Sequence, residues 1–253
     1  MCLQKIKLMS TLSVIIPTYN EIDYINDALK SVDFANEIIV IDSFSSDGTK
    51  EIALEHGCKV LERKFDNFSN QKNHAISYAT GDWILFIDAD ERVSQKLKNE
   101  ILSEIEKNNH SGYKLRFPHF YMNRFLYHKV DKVLRLVKNK NVKFSGDVHE
   151  KLQVEGSIGS LNNFMIHYTY KGLFHLIQKK DSYAWFQANT SLKKGKKATI
   201  FHLLLKPLYR FFSSYILKRG FLDGVPGLAL ASINAYGVFS RYVKMILIEK
   251  NIK

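Results

Sequence analysis

Three carboxylates stand together in Asp88-Ala89-Asp90-Glu91, directly after the apolar run at 83–87. The run predicts a buried β-strand, so Asp88 stands where that strand ends. Hard carboxylate oxygens there suit Mg²⁺ or Mn²⁺ bridging a diphosphate, with one carboxylate on the metal and its neighbour on a sugar hydroxyl. The alternative is that Asp88 and Asp90 cap a helix starting near Ser94, but capping does not need three acids.

Polar residues also follow two earlier apolar runs. Asp42 and Ser43 come after the run at 37–41, where the Asp42 carboxylate can accept hydrogen bonds from the N–H groups of a nucleotide base. Asp47 is equally suited to capping the next helix. The loop after the run at 12–16 would lie beside the same nucleotide pocket, although its residues also suit an N-cap; they are Pro17, Thr18, Tyr19, Asn20 and Glu21.

Four further candidates lie along the rest of the chain. Lys72, next to Asn73 on a predicted helix, can offset diphosphate charge or be an ordinary solvated lysine. Asp147 and Glu150 lie in one loop and can deprotonate a sugar hydroxyl as a general base, with loop ion pairs as the alternative. His167 closes a strand-like run and can ligate a metal as neutral imidazole or be structural.

Strand-like and helix-like segments alternate over the first 107 residues. Strands are expected at 12–16, 37–41, 58–61 and 83–87, and helices at 21–32, 49–56, 69–79 and 94–107, with Gly81 ending the third helix. Because the strands are continuously apolar, they predict a parallel sheet covered by helices on both faces. Ligands of such sheets lie at the carboxyl ends of the strands, where the acidic turns occur.

The pattern changes after this region. Residues 112–170 contain short β-like pieces, such as 133–137 and 164–168, without crossover helices, and predict a mixed-sheet acceptor half. From 171 the chain is basic and helical, with an amphipathic stretch at 201–217 and a last helix near 226–249. The expected domains are 10–170, divided into a nucleotide-sugar half at 10–92 and an acceptor half at 93–170, and a helical region at 171–253.

Composition narrows the partners. Among 253 residues there are 37 Lys and Arg against 25 Asp and Glu, and the net charge of +12 favours phosphate-rich partners: nucleic acid, an anionic lipid surface or phosphorylated small molecules.

Cys2 and Cys58 form neither a CxxC nor a zinc spacing. Residues 1–10 do not resemble a signal peptide, and no window reaches the roughly 18 apolar residues of a membrane span. We expect a cytoplasmic protein. The basic, amphipathic C-terminal region fits a peripheral contact at the inner face of the cytoplasmic membrane, and it fits equally a helical lobe that packs on the core with a solvated lysine face.

Four motifs, taken in order, resemble the family 2 glycosyltransferases. They are the segments 12–21, 42–49, 71–73 and 88–91. Residues 146–150 and 220–224 further resemble a bacterial subgroup, the lipopolysaccharide core-biosynthesis glucosyltransferase-like proteins. The resemblance covers nearly the whole chain and is most specific over 12–92.

That resemblance implies a GT-A fold, a nucleotide-diphosphate sugar donor that is usually UDP-linked, a divalent cation and inversion at the anomeric carbon. Asp90 would bind the metal and Glu150 would be the base. Independently of the resemblance, the His167 imidazole is expected as a further metal ligand. Many family members carry the base in an acidic pair such as Glu-Asp, which this chain lacks, so Asp147 is the second candidate. The residues expected to hold the nucleotide sugar are Pro17, Thr18, Tyr19, Asn20, Glu21, Asp42, Ser43, Asp47, Lys72, Asn73, Asp88 and Ala89.

Two other functions fit part of the sequence. A nucleotidyltransferase that makes an activated sugar also uses a parallel sheet with metal-binding acids, but it would want a glycine-rich phosphate loop, and the loop at 17–21 has no glycine. A basic nucleic-acid-binding protein would explain the net charge, but acidic strand ends repel phosphates unless a metal intervenes. We therefore expect a glycan or glycolipid acceptor and no nucleic acid.

Overall fold

The computed structural model describes residues 9–122, 124–146, 150–168 and 173–252. The chain divides into two compact units. The first comprises Met1–Phe117 and Asp131–His167, and the second comprises Pro118–Val130 and Tyr168–Lys253. The domain limits expected from the sequence stay a prediction.

Four parallel strands form one half of the sheet in the first unit. They are β1 (Leu12–Thr18), β2 (Glu37–Asp42), β3 (Lys59–Glu62) and β4 (Trp83–Phe86), in the order β3-β2-β1-β4. Thr18 pairs with Asp42 in register, and Ile15 pairs with Phe86. The carboxyl ends of β1, β2 and β4 therefore meet at one edge of the sheet, as expected.

Helices cover both faces of these strands. They are α1 (Ile22–Ser31), α2 (Thr49–Glu55), α3 (Phe68–Ile76) and α4 (Gln95–Lys107). One face packs Val14 and Leu85 against Ile25 of α1 and Leu97 of α4. The other face packs strand residues, among them Ile39 and Phe86, against Ala75 of α3. Continuously apolar strands are needed because both sides of each strand are buried.

The third helix ends earlier than expected. α3 stops at Ile76, and turns follow in which Tyr78 N–H donates to Ala75 O and Ala79 N–H donates to Ile76 O. Gly81 is therefore not its terminator. A Cβ at Gly81 would stand 2.7 Å from both the backbone N and the Oγ of Ser13, so a glycine is required by the close approach to β1.

The later strands complete a mixed sheet. They are β5 (Glu91–Val93), β6 (Gly112–Tyr121), β7 (Arg124–Lys138) and β10 (Ile158–His167), and the full order is β3-β2-β1-β4-β7-β6-β10-β5. β7 is antiparallel to β4, β10 is parallel to β6, and β5 is antiparallel to β10. A separate two-stranded sheet joins β8 (Lys143–Ser145) to β9 (Lys151–Gln153). The short β-like pieces at 133–137 and 164–168 thus belong mainly to long strands.

The second unit is mainly helical. It contains α5 (Leu173–Lys193), α6 (Ile200–Phe212), a π-helical turn at Ser213–Leu217, a 3-10 turn at Gly220–Asp223 and α7 (Val225–Glu249). The expected fold class is confirmed: α/β, with a mostly parallel sheet flanked by helices, a mixed-sheet second half and a helical C-terminal region. Among the described residues, no helix combines the length and apolar character required to cross a bilayer.

α6 has an unusual surface. Every side chain of this helix, all of which the structure describes, is at least partly exposed, including Phe201, Leu204, Leu205 and Leu208. The apolar residues are grouped on one side of the helix, as expected from the amphipathic pattern. A cluster of this kind on a helix is more than scattered surface hydrophobicity.

Candidate active site

Asp42 is fully buried at the end of β2. Its Oδ1 accepts hydrogen bonds from Thr18 Oγ1 at 3.0 Å and Ser45 Oγ at 2.6 Å, and its Oδ2 accepts one from Ser45 N–H at 2.7 Å. These bonds fix the carboxylate between the loops that follow β1 and β2. A buried carboxylate needs such donors, because it has lost its water shell.

The same two loops are joined by hydrogen bonds between amide and hydroxyl groups. Asn20 N–H donates to Ser45 Oγ, while Ser46 N–H donates to Asn20 Oδ1, each at 2.9 Å. Asn20 has φ 53°, a left-handed conformation that asparagine tolerates better than most residues. β1 extends through Pro17 and Thr18, two residues beyond the expected strand end, so the loop is shorter than expected. The remaining loop residues are held beside Asp42, with the Tyr19 side chain exposed.

Asp47 organises the beginnings of two helices. Its Oδ2 accepts Ile22 N–H at 3.0 Å, and its Oδ1 accepts Thr49 N–H at 3.0 Å and Thr49 Oγ1 at 2.6 Å. Burial acts to raise the pKa of Asp47, but the bonds from Thr49 and Ile22 outweigh it and hold the pKa below its usual value. These contacts match the capping interpretation of Asp47.

Ser43 and Ala89 also lie at strand ends. Ser43 Oγ accepts a hydrogen bond from Gln71 Nε2 at 2.9 Å, and Gln71 Oε1 accepts one from Arg63 at 3.0 Å. α3 is thereby tied to the end of β2. Ala89 is buried between the two aspartates of the acidic motif.

Asp88 and Glu91 share one arginine. Arg135 of β7 donates to Asp88 Oδ2 at 2.8 Å and to Glu91 Oε1 at 2.9 Å, and Asp88 N–H donates to Glu91 Oε2 at 2.9 Å. The Phe117 ring lies 5.5 Å from the guanidinium carbon. Neither Asp88 nor Asp90 caps α4, because the Ser94 side chain does so by accepting a hydrogen bond from Leu97 N–H.

Burial and Arg135 together give Asp88 and Glu91 very different pKa values. Burial opposes ionisation of Asp88, but Arg135 outweighs it and holds the pKa of Asp88 well below its usual range. Burial, aided by the Asp88 charge, raises the pKa of Glu91 to about 7 despite Arg135. Asp88 is thus the permanent anion of the pair, and its side chain remains 40% exposed.

Asp90 and His167 form the pair that suits a metal. His167 Nε2 lies 3.2 Å from Asp90 Oδ2, and both side chains are partly exposed. Burial acts to lower the pKa of His167, but the hydrogen bond and charge of Asp90 raise it. One carboxylate and one imidazole fit a divalent cation whose other ligands come from a diphosphate or water. Within the described ranges, no three His, Cys, Asp or Glu side chains form a complete metal-binding group.

Lys72 and Glu150 contact each other. Lys72 Nζ lies 3.0 Å from Glu150 Oε1, and the lysine is almost fully buried against the Phe144 ring. Asn73 exchanges hydrogen bonds with the Phe144 backbone, donating to its O at 2.9 Å and accepting its N–H at 2.8 Å. α3 is therefore fixed to β8. Asp147, the second candidate base, lies outside the described residues.

Arg135 was absent from the residues expected at the site. It stands in the middle of the β-like piece Val133-Leu134-Arg135-Leu136-Val137. A lone arginine in an apolar strand is the available signal, because a buried guanidinium needs carboxylate partners. Gln71, which donates a hydrogen bond to Ser43, is predicted from the sequence only as part of the segment 71–73.

The family model for glycosyl transferase family 2 matches residues 13–168. The chain belongs to this family, and it is a glycosyltransferase.

Individual relatives agree with that assignment. The chain is 30% identical to an uncharacterized glycosyltransferase of Rickettsia felis, over 96% of this chain and 93% of the relative. It is 24% identical to the lipopolysaccharide core biosynthesis glycosyltransferase LpsC of Rhizobium meliloti, over 91% and 93% respectively. A crystal structure of glucosyl-3-phosphoglycerate synthase from Mycobacterium tuberculosis aligns with 44% of this chain and 45% of its own, at 22% identity and a TM-score of 0.39.

Proposed function

We propose that the protein transfers a sugar from a nucleotide-diphosphate donor, UDP-linked, to a glycan or lipid-linked acceptor, with inversion at the anomeric carbon. The observation that carries this proposal is the Asp90–His167 pair beside Asp88, at the carboxyl edge of the parallel sheet. Ligands of open α/β sheets bind at that edge. The relation to LpsC supports an acceptor in bacterial lipopolysaccharide core or surface polysaccharide synthesis.

The loops after β1 and β2 are the proposed nucleotide site. Asp42 would accept hydrogen bonds from the base or ribose through Oδ2, which accepts one internal bond whereas Oδ1 accepts two. Pro17, Thr18 and Asn20 would line the same pocket. Asp88 would contact ribose or sugar hydroxyls, since Arg135 keeps it ionised and its side chain is partly exposed.

Asp90 and His167 would hold the divalent cation, Mg²⁺ or Mn²⁺. When bound, such a cation supplies positive charge against the negative charge that develops on the leaving diphosphate. Lys72 would add a second positive charge near that group. His167 must be neutral to ligate a metal, whereas Asp90 raises its pKa, so metal and proton would compete for the imidazole nitrogen.

Glu150 is the proposed general base. The acceptor hydroxyl oxygen would form a bond to the anomeric carbon as the bond to the diphosphate oxygen breaks, and the hydroxyl proton would pass to Glu150. Lys72 contacts Oε1, so Oε2 is the oxygen expected to take the proton. The electron pair of the broken bond leaves with the nucleoside diphosphate.

A peripheral contact with anionic membrane is proposed for the second unit. From 182 to 222 the sequence has eight Lys and Arg and no Asp or Glu. The exposed apolar side chains of α6 lie within this basic segment. An amphipathic cationic helix of this kind binds at the surface of anionic bilayers, where a lipid-linked acceptor is found. The protein would then act at the inner face of the cytoplasmic membrane.

A thermal-shift screen of nucleotide sugars with and without Mn²⁺ tests the donor class, because a ligand that binds the native state raises its melting temperature. We expect a Mn²⁺-dependent shift with UDP-sugars and none with a random oligonucleotide. A shift with the oligonucleotide, and none with any nucleotide sugar, would contradict the proposed donor.

A further inference from the structure

A cavity lies wholly within the second, helical unit. It is bounded by α5, α6 and α7 and encloses about 550 Å³. That volume lies in the range of small-molecule sites, which is about 300–1,000 Å³. Four cationic residues line it: Lys180, Lys206, Arg210 and Arg241.

None of the described residues that line the cavity is acidic. The charged residues and histidines whose side chains are described on the three helices are Lys180, Asp181, Lys193, His202, Lys206, Arg210, Arg241, Lys244 and Glu249. Asp181 is already engaged, because Lys244 Nζ lies 2.5 Å from its Oδ1 and Ser240 donates to it at 2.8 Å. Glu249 lies two turns beyond Arg241 along α7. Among the described residues, neither acid of these helices therefore pairs with Lys206 or Arg210.

The two arginines are placed differently. Arg241 lies on the Tyr242 ring at 4.6 Å, and one of its terminal nitrogens donates to Gln187 at 3.3 Å. Its Nε is buried and has no hydrogen-bond partner in the described part of the chain. For Arg210 and Lys206, the structure of the described residues shows no side-chain hydrogen bond or ion pair.

Like charges gathered in a concave site repel one another and focus a positive potential into it. An anion removes that repulsion, and guanidinium groups bind phosphate oxygens through paired hydrogen bonds. The cavity exceeds the size of one phosphate, and the aromatic rings of Tyr183 and Tyr209 line the remainder. A phosphate that carries a further group therefore matches both the charge and the volume.

We propose that this cavity binds a phosphomonoester or diphosphate group, separately from the donor site. The group has two possible sources, a phospholipid headgroup and a phosphorylated saccharide, and both present the same phosphate oxygens. The inference does not depend on the proposed sugar transfer, because it rests on residues of the second unit alone.

The test is calorimetric titration of pyrophosphate into the full-length protein in the presence of EDTA, which removes metal-dependent binding. We expect the double variant Lys206→Gln/Arg210→Gln to weaken the binding by at least about tenfold, since charge-assisted hydrogen bonds are lost. The matched control is Lys193→Gln/Lys194→Gln, which removes the same charge from the same unit outside the cavity. The control should retain binding within about twofold.

Equal weakening in both double variants, unchanged affinity in Lys206→Gln/Arg210→Gln, or no heat of binding in the unaltered protein would each overturn the proposal. Circular dichroism and the melting temperature establish that each variant is folded. If the double variant does not fold, Arg210→Lys replaces it: the charge stays but the fork is lost, and weaker pyrophosphate binding is still expected.

Competition distinguishes the two sources. Displacement of pyrophosphate by phosphatidylglycerol vesicles, but not by phosphatidylcholine vesicles, would support the headgroup as ligand. Displacement by glucose 1-phosphate would support a phosphorylated saccharide. In both cases Lys206→Gln/Arg210→Gln must also weaken the binding of the competitor. A competitor that binds this variant with normal affinity would contradict binding in the cavity.

Discussion

Lys72 Nζ lies 3.0 Å from Glu150 Oε1, so the lysine proposed to face the diphosphate is paired with the proposed base. The Lys72 side chain is 5% exposed and that of Glu150 is 24% exposed. The contact joins α3, in the nucleotide half, to the chain just before β9, in the acceptor half. In the proposed reaction, donor charge and acceptor deprotonation would therefore be linked through one ammonium group.

Glu150→Gln tests the base. We expect kcat to fall by about 10²–10⁴-fold, because a neutral amide cannot take the hydroxyl proton, while the donor Kd changes little. Steady-state kinetics and donor calorimetry measure the two quantities. The exposed Glu155→Gln, in the same region, is the control and should keep normal kcat. A Glu150→Gln enzyme with near-normal turnover would remove Glu150 from this role.

The Lys72–Glu150 pair should also be visible in stability. Each of Lys72→Met and Glu150→Gln leaves its partner without an opposite charge, whereas the double variant removes both. A double-mutant cycle from urea unfolding should give a coupling free energy of about 1–3 kcal/mol. Additive effects of the two changes would mean that the contact contributes nothing in solution.

Asp90→Asn and His167→Gln should each abolish most of the Mn²⁺-dependent gain in donor affinity, because each removes one proposed metal ligand. Calorimetry of UDP-sugar binding with Mn²⁺ and with EDTA separates this gain from the metal-free affinity. Asp23→Asn, an exposed aspartate of α1, is the matched control. If both site variants kept the full Mn²⁺ effect, the cation would have to bind elsewhere.

At pH 8, Arg135→Gln should lower the free energy of unfolding by about 3 kcal/mol, since buried, ionised Glu91 loses its counter-charge. The pKa of Glu91 is already raised to about 7, above that of an unfolded glutamate. Its stabilising contribution is therefore complete at low pH and is lost as the pH rises through about 7. Without Arg135 the cost of ionising Glu91 increases further.

Urea unfolding at pH 6 and pH 8 measures that difference. We expect Arg135→Gln to be more destabilising at pH 8, and Arg135→Gln/Glu91→Gln to remove most of the excess. Equal destabilisation at both pH values in the single variant would show that Glu91 does not titrate in this range.

Leu204→Gln/Leu208→Gln should reduce co-sedimentation with phosphatidylglycerol vesicles by at least about tenfold, because two exposed apolar side chains no longer enter the interface. Leu102→Gln, a partly exposed leucine of α4, should leave sedimentation unchanged. If the α6 variant bound vesicles as well as the unaltered protein, any membrane contact would depend on charge alone.

The nucleotide half could be predicted well from the sequence. The runs at 12–16, 37–41 and 83–87 are continuously apolar because both faces of each strand are covered, and this pattern is easily recognised. The acidic residues at their ends were identified for the same reason. The pairing order of the strands lies outside such local patterns.

The acceptor half was harder to predict. β7 runs from Arg124 to Lys138, but its exposed part is rich in charged residues, so only 133–137 resembled a strand. The Arg135 contacts depend on β7 pairing with β4, and no local pattern encodes a partner 44 residues away. β5 is too short for periodicity to reveal it.

The antiparallel pairing of β5 with β10 sets His167 opposite Glu91. A nascent chain that ends before β10 already carries Asp42, Asp88 and Asp90, but it has only one member of the Asp90–His167 pair. That pair is completed only when the last strand of the sheet docks in register, and a slip of one residue would turn the imidazole to the opposite face. The Asp90–His167 pair therefore forms only in chains whose sheet is fully assembled.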